Sequence, residues 1–259
     1  MGELNVLTAA IIIVAGTLAG FINTLAGGGS FLTLAALELA GLPISMANGT
    51  NRVAVLVQNV SAVAGFRKGG MSDVKMSLML SVPAVIGSVA GALAGVQLDP
   101  SFFNKLLVFA MVAMLVVLVV NPQRWLKNKR EIEMTPTRIA IAVVALLAIG
   151  FYSGIVQAGV GFYIIAALVL TTGLDLVKTN MHKVFIIGAT TAVALLIFAL
   201  GGQVNWLYGL FLAIGNGSGA WIGSHAAVKG GEKLVKVVLG VMLVVLIVRY
   251  LGIIPWFSA

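Results

Sequence analysis

The chain has 259 residues, 60% of them hydrophobic and only 9% charged, with a mean hydropathy of +1.11. Roughly a quarter of the residues of a soluble globular chain are charged, so the composition excludes a soluble domain and predicts an integral membrane protein. Cysteine is absent and histidine occurs twice, which argues against thiolate metal sites, disulfides and a histidine-rich metal cage; neither a metal nor a cofactor is expected. The net charge of +8 would suggest nucleic acid in a soluble protein, but here the cations lie between apolar runs, as loop cations do. Nucleic acid is therefore not an expected partner.

A bilayer core of about 30 Å takes about 20 helical residues. The first apolar run, 4–24, follows an N-terminus with no basic leader and no clear small-x-small cleavage site, and reads as a first span rather than a removable signal. Then come 30–41, 51–66, 76–98 and 104–121, a basic stretch, and 138–156, 161–172, 183–200, 204–227 and 234–252. The elements 30–41 and 161–172 are only a dozen residues long, rising about 18 Å; both follow glycine-containing breaks, at 26–30 and 157–161. They are half-helices or shortened spans.

If each short element returns the chain to the side it came from, 13 of the 16 Lys and Arg share one face, and only Arg52, Lys105 and Arg249 lie on the other. Eight spans would split the same cations 9 to 7. The cation bias that orients membrane proteins selects ten elements, with both termini outside the cytoplasm.

The chain also repeats. Gly20-Phe21 recurs as Gly150-Phe151, Ala35-Ala36-Leu37 as Ala166-Ala167-Leu168, Thr50-Asn51 as Thr179-Asn180, and Gly69-Gly70 as Gly201-Gly202, at a nearly constant offset close to half the chain. Five elements per copy is odd, so the second copy enters the membrane from the opposite face. Inverted repeats whose matched segments are short and glycine-interrupted mark the binding site of secondary transporters.

Polar residues gather near the breaks: Asn23, Thr24, Ser30, Asn48, Thr50, Asn51 and Arg52 in the first half, with Gln58 and Asn59 further along, and Ser153, Gln157, Thr179, Asn180, His182 and Lys183 in the second. None is acidic. Glycine-rich turns such as Gly27, Gly28 and Gly29, or Gly159 and Gly161, expose N–H groups at a helix N-terminus, which favours an anion, and hydroxyls, amides and Arg52 or Lys183 complete an oxyanion cradle. Glu38, the one carboxylate inside an apolar element, is the candidate for proton coupling, since its burial cost must be met by a partner or by protonation. A buried Ser218–His225 hydrolase pair is disfavoured, because seven helical residues separate the two by about 10 Å; residues 215–223 read as small-residue packing, and no enzymatic activity is expected.

Gly20-Phe21-Ile22-Asn23-Thr24-Leu25-Ala26-Gly27-Gly28-Gly29-Ser30, then Gly41-Leu42-Pro43 and Ala47-Asn48-Gly49-Thr50-Asn51, resemble the first-repeat signature of the TauE/SafE family of sulfite and organosulfonate exporters. Gly150-Phe151-Tyr152-Ser153-Gly154, Gly159, Gly161 and Lys178-Thr179-Asn180 resemble the second. The resemblance implies a multi-pass transporter of the bacterial or archaeal cytoplasmic membrane, carrying small sulfur-containing anions such as sulfite, sulfoacetate or other organosulfonates. It places the Gly27–Gly29 turn and a Gly49-Thr50-Asn51 turn at the site.

The expectation is an all-α integral membrane protein of about ten transmembrane elements, two short or broken, in two inverted five-element repeats: 1–122, a cytoplasmic basic linker 123–137, and 138–259. It exports its anion by alternating access, without an ATP-binding motif. The competing readings are a passive anion channel and a membrane scaffold. The bilayer and the anion are the partners, and a homo-oligomer is left open.

Overall fold

The computed structural model describes residues 5–120 and 135–250, with no strand among the described residues. Helix α1 spans Val6–Leu25 and starts beneath Asn5, whose side chain accepts from the Thr8 N–H at 2.8 Å. The short α2, Ser30–Leu39, leads to α3, Ile44–Lys68. Helix α4, Val74–Val96, is capped by Asp73, and α5 spans Pro100–Val120. In the second half, α6 (Pro136–Ile155) begins with proline behind the Thr135 cap, and the short α7 covers Val160–Thr172. Asp175 caps α8, Leu176–Leu200, and α9 runs Trp206–Tyr250, broken at Gly231 with φ 57° and ψ −158°.

Every predicted apolar segment coincides with helix as far as the described residues reach, and 204–227 and 234–252 fall on either side of Gly231. Two boundaries differ most. The elements placed at 51–66 and 183–200 begin seven residues earlier, at Ile44 and Leu176. Both added stretches are rich in polar residues that an apolar-run criterion rejects, yet Asn48, Thr50, Thr179, Asn180 and His182 are all buried in protein rather than facing lipid. For the same reason Gly49-Thr50-Asn51 is not a turn: it lies within α3, where a side chain on Gly49 would collide with the Gln203 carbonyl. All but the last three residues of the expected linker 123–137, and both chain ends, lie outside the described residues.

Helices α1, α4, α6 and α8 are each long and apolar enough to cross a membrane. The outer faces of α1 and α4 carry exposed Ile11, Val14, Leu18, Met79, Val82 and Ile86, the reverse of a water-facing helix and what hydrocarbon demands. The described residues thus form an all-helical, multi-pass membrane protein. Its inner faces close through small residues. Helix α1 packs on α9, where a Cβ on Gly16 would lie 2.9 Å from the Leu212 carbonyl oxygen, and side chains on Gly215 and Gly219 would strike the Ile13 and Thr17 carbonyls. Helix α4 packs on α6 in the same manner, Gly87 and Gly91 against the Leu147 and Phe151 carbonyls. The small-residue reading of 215–223 agrees with this packing.

Helices α3 and α8 pack on each other, with α2 against α3 and α7 against α8. Left-handed glycines recur in pairs at one constant spacing along the chain: Gly27 (φ 104°) and Gly159 (77°), Gly41 (90°) and Gly173 (68°), Gly70 (80°) and Gly202 (69°). The same backbone reversals therefore bound the short helices and end α3 and α8.

Candidate functional site

Helix α1 stops at Leu25 and α2 starts at Ser30; α6 stops at Ile155 and α7 starts at Val160. At both breaks a glycine takes a left-handed φ that residues with a Cβ avoid. The two breaks touch: a Cβ on Gly27 would lie 2.6 Å from the Gly161 Cα, and one on Gly161 would lie 2.6 Å from the Gly27 Cα. Two helix C-termini and two helix N-termini therefore end in the protein interior, each with backbone groups that a helix cannot satisfy by itself.

The C-terminal ends are held by cations. Lys183 of α8, fully buried, donates its ammonium to the carbonyls of Asn23 at 2.8 Å and Thr24 at 2.9 Å and to Asn180 Oδ1 at 2.6 Å, which uses all three of its hydrogens. Asn180 Nδ2 donates to the Leu25 carbonyl at 2.9 Å. At the other break the fully buried Arg52 of α3 donates to the carbonyls of Ser153 (3.1 Å), Gly154 (2.6 Å) and Ile155 (3.3 Å) and to Gln157 Oε1 (3.2 Å). Asn48 Nδ2 joins it on the Ile155 carbonyl at 2.9 Å. The Arg52 guanidinium also lies 4.3 Å from the centre of the Phe198 ring, within cation–π range.

The N-terminal ends are bare. Neither α2 nor α7 has a side-chain cap, nor does α3 behind Pro43, whereas α1, α4, α6 and α8 all do. Each helix terminus carries about half a charge, negative at the C-terminus and positive at the N-terminus, so the four ends cancel to first order. What remains is the charge of Arg52 and Lys183, and neither has a carboxylate in ion-pair reach among the described residues. The interior of the breaks is electropositive. Arg52 Nε, Asn51 Nδ2 and Ser153 Oγ are buried there without a hydrogen-bond partner.

The expected site residues divide. Asn23, Gly27, Gly28, Gly29, Ser30, Gln157, Gly159 and Gly161 lie at the breaks, and Asn23 Nδ2 donates across the first one to Ser30 Oγ at 3.2 Å and to Gln58 Oε1 at 3.0 Å. Arg52 and Asn180 grip helix ends, and Asn51 Oδ1 accepts from Thr33 Oγ1 at 2.7 Å. Thr50 and Thr179 point elsewhere: Thr50 Oγ1 accepts from the Asn205 N–H at 2.9 Å, and Thr179 Oγ1 donates to the Leu174 carbonyl at 3.4 Å. Glu38 sits exposed in the last turn of α2, at the opposite end of that helix from Ser30. Lys183, counted by its loop position among the cations of one membrane face, is buried at the first break instead.

Sequence reasoning noted Asn48 and Gln58 near the breaks without counting them as site residues, and gave no binding role to Thr191 or Asn216. Thr191 Oγ1 donates to Gln157 Oε1 at 3.4 Å and Asn216 Nδ2 to Gln58 Oε1 at 3.4 Å, so all four reach the polar centre. The available signal was an amide or hydroxyl on an otherwise apolar helix, as at Gln58 and Thr191; Asn216 was hidden by the glycines around it.

The family model described as sulfite exporter TauE/SafE matches residues 12–250. Three relatives carry the name "Probable membrane transporter protein". One, designated ORF9, from Sinorhizobium sp., is 29% identical over 94% of this chain and 92% of its own length. Another, from Haemophilus influenzae, is 27% identical over 90% of each chain, and the third, YfcA of Escherichia coli K12, is 28% identical over 85% of this chain and 80% of its own. No solved structure matches. The family match spans both breaks and both gripping cations, and the chain belongs to the TauE/SafE family of membrane transporters.

Proposed function

We propose that the protein is a secondary active transporter that exports small sulfur-containing oxyanions, such as sulfite, sulfoacetate or other organosulfonates, by alternating access. The anion is held between the two glycine breaks. The observation that carries the reading is the pair of uncapped helix N-termini, α2 and α7, opening beside two buried cations that lack a carboxylate partner. A buried cation without a counter-ion is costly in a membrane, and a tetrahedral or pyramidal oxyanion bearing one or two charges is its natural complement. The free donors Arg52 Nε, Asn51 Nδ2 and Ser153 Oγ, with the N–H groups of Gly28, Gly29 and Ser30 and of Gly159 and Gly161, form the cradle; Asn180 and Lys183 hold it in shape.

Two inverted five-element repeats, 1–122 and 138–259, account for the arrangement. They are supported by the evenly spaced pairs of left-handed glycines, and by α1 packing on α9 as α6 packs on α4. Glu38 couples transport to protons from the end of α2, and both termini lie outside the cytoplasm. The substrate class follows the family description.

The test is purified protein in liposomes with labelled sulfite or sulfoacetate. Accumulation against a gradient supports the reading; flux that only runs downhill makes the protein a channel, and no flux of any sulfur oxyanion removes the substrate class. Because the chain has no cysteine, single cysteines placed at Gly70 and Gly202 report sidedness without background. Labelling of both from the same face sinks the inverted arrangement.

A further inference from the structure

A lateral cleft of about 670 Å³ runs between α3, from Leu56 to Lys68, and the α8 stretch 184–189. Its walls are apolar, with Val60, Val63 and Phe185 prominent, and Gly188 leaves its floor open. Its outer rim is cationic: Arg67 and Lys68, in the last turn of α3, are exposed and have no carboxylate in ion-pair reach among the described residues. Lys68 Nζ lies 5.5 Å from the centre of the Trp221 ring, and tryptophan beside lysine is the usual company of a membrane interface.

The dimensions decide what fits. From Leu56 to Lys68 a helix rises about 18 Å, close to half of a hydrocarbon core of about 30 Å, so the cleft is about one leaflet deep. A small oxyanion gains nothing from so long an apolar wall, whereas an acyl chain does, and basic pockets between transmembrane helices recruit anionic headgroups.

We propose that this cleft binds an anionic glycerophospholipid, with its phosphate on Arg67 and Lys68 and one acyl chain laid along α3 and α8. The inner end of the chain reaches Leu56 and Ala189. The lipid thereby braces the α3–α8 contact, where Gly188 lets the helices approach until a Cβ there would lie 3.3 Å from that of Asn59. This inference does not depend on what the protein carries.

The experiment uses the full chain in neutral detergent, with native mass spectrometry of bound lipid and competition between phosphatidylglycerol and phosphatidylcholine of equal chain length. Two interfacial cations at about 1 kcal/mol each correspond to about a 30-fold preference for phosphatidylglycerol. Arg67→Gln with Lys68→Gln should abolish that preference while leaving the melting temperature without lipid unchanged, since both side chains are exposed. Gly188→Leu should lower occupancy by both lipids; if it does not fold, Val60→Trp tests the same wall from the exposed side. Equal binding of the two lipids, an unchanged preference in the double glutamine variant, or full displacement of phosphatidylglycerol by millimolar inorganic phosphate would each overturn the proposal, the last by making the rim a simple anion site.

Discussion

Asn48 and Asn180, one in each half of the chain, make the same bond: each gives its side-chain amide to the last carbonyl of a broken helix, Ile155 and Leu25, at 2.9 Å. Beside each stands a buried cation, Arg52 with Asn48 and Lys183 with Asn180, that takes the carbonyls just before it. The two halves grip one another reciprocally, each reaching into the break of the other. Asn48 and Asn180 stand at the same spacing along the chain as the paired left-handed glycines.

Removing a cation leaves carbonyls buried without donors. Charge-assisted hydrogen bonds contribute about 1.5–3 kcal/mol each, so Lys183→Met should destabilise the protein by about 3 kcal/mol or more and abolish transport. Lys183→Arg should retain part of both. Unfolding followed by tryptophan fluorescence and uptake in liposomes measure the two effects; a stable, active Lys183→Met protein would show that the grip is dispensable.

Gly27→Ala meets two obstacles at once, a left-handed φ of 104° and a Cβ 2.6 Å from the Gly161 backbone. Gly202→Ala meets only the first, since nothing lies within 4 Å of its Cβ. The expected result is loss of transport for Gly27→Ala, and for Gly202→Ala a cost of about 1–2 kcal/mol with transport kept. Equal behaviour of the two variants would mean that contact between the breaks is unimportant.

Phe198 is buried over Arg52 and packs against Ala92 and Ala194. Phe198→Ala should cost about 3–5 kcal/mol, through the cavity it leaves and the lost cation–π contact. Phe198→Tyr keeps the ring and should keep transport, whereas Phe198→Leu keeps much of the volume and loses the cation's partner. A Leu variant whose anion affinity matches that of the parent protein would confine Phe198 to packing.

Glu38 is the proposed coupling group, although it is exposed at the end of α2. In liposomes carrying an imposed pH gradient, uptake by the parent protein should follow the gradient and uptake by Glu38→Gln should not. Gradient dependence that persists in the glutamine variant would remove Glu38 from the mechanism.

Thr50→Ala should leave anion affinity within about twofold and cost about 1 kcal/mol of stability, since its hydroxyl serves the Asn205 N–H rather than the breaks. Asn51→Ala, which removes a free buried donor, should weaken binding by tenfold or more. Isothermal titration with sulfite on both variants separates the roles, and a reversed order of effects would move the cradle away from Arg52.

The membrane class, the helical elements and the two glycine breaks were legible in the sequence, because each depends on local quantities: the length of an apolar run, and glycines clustered where a helix must stop. The polar first turns of α3 and α8 were not, since a buried asparagine or threonine looks like a loop residue until its partner across the fold is known. The fates of Arg52 and Lys183 also required the tertiary structure. A cation's place in the chain gives its nearest membrane face, but which carbonyls it neutralises depends on helix ends in the other half of the chain, and those come within hydrogen-bond distance only when the two halves pack together.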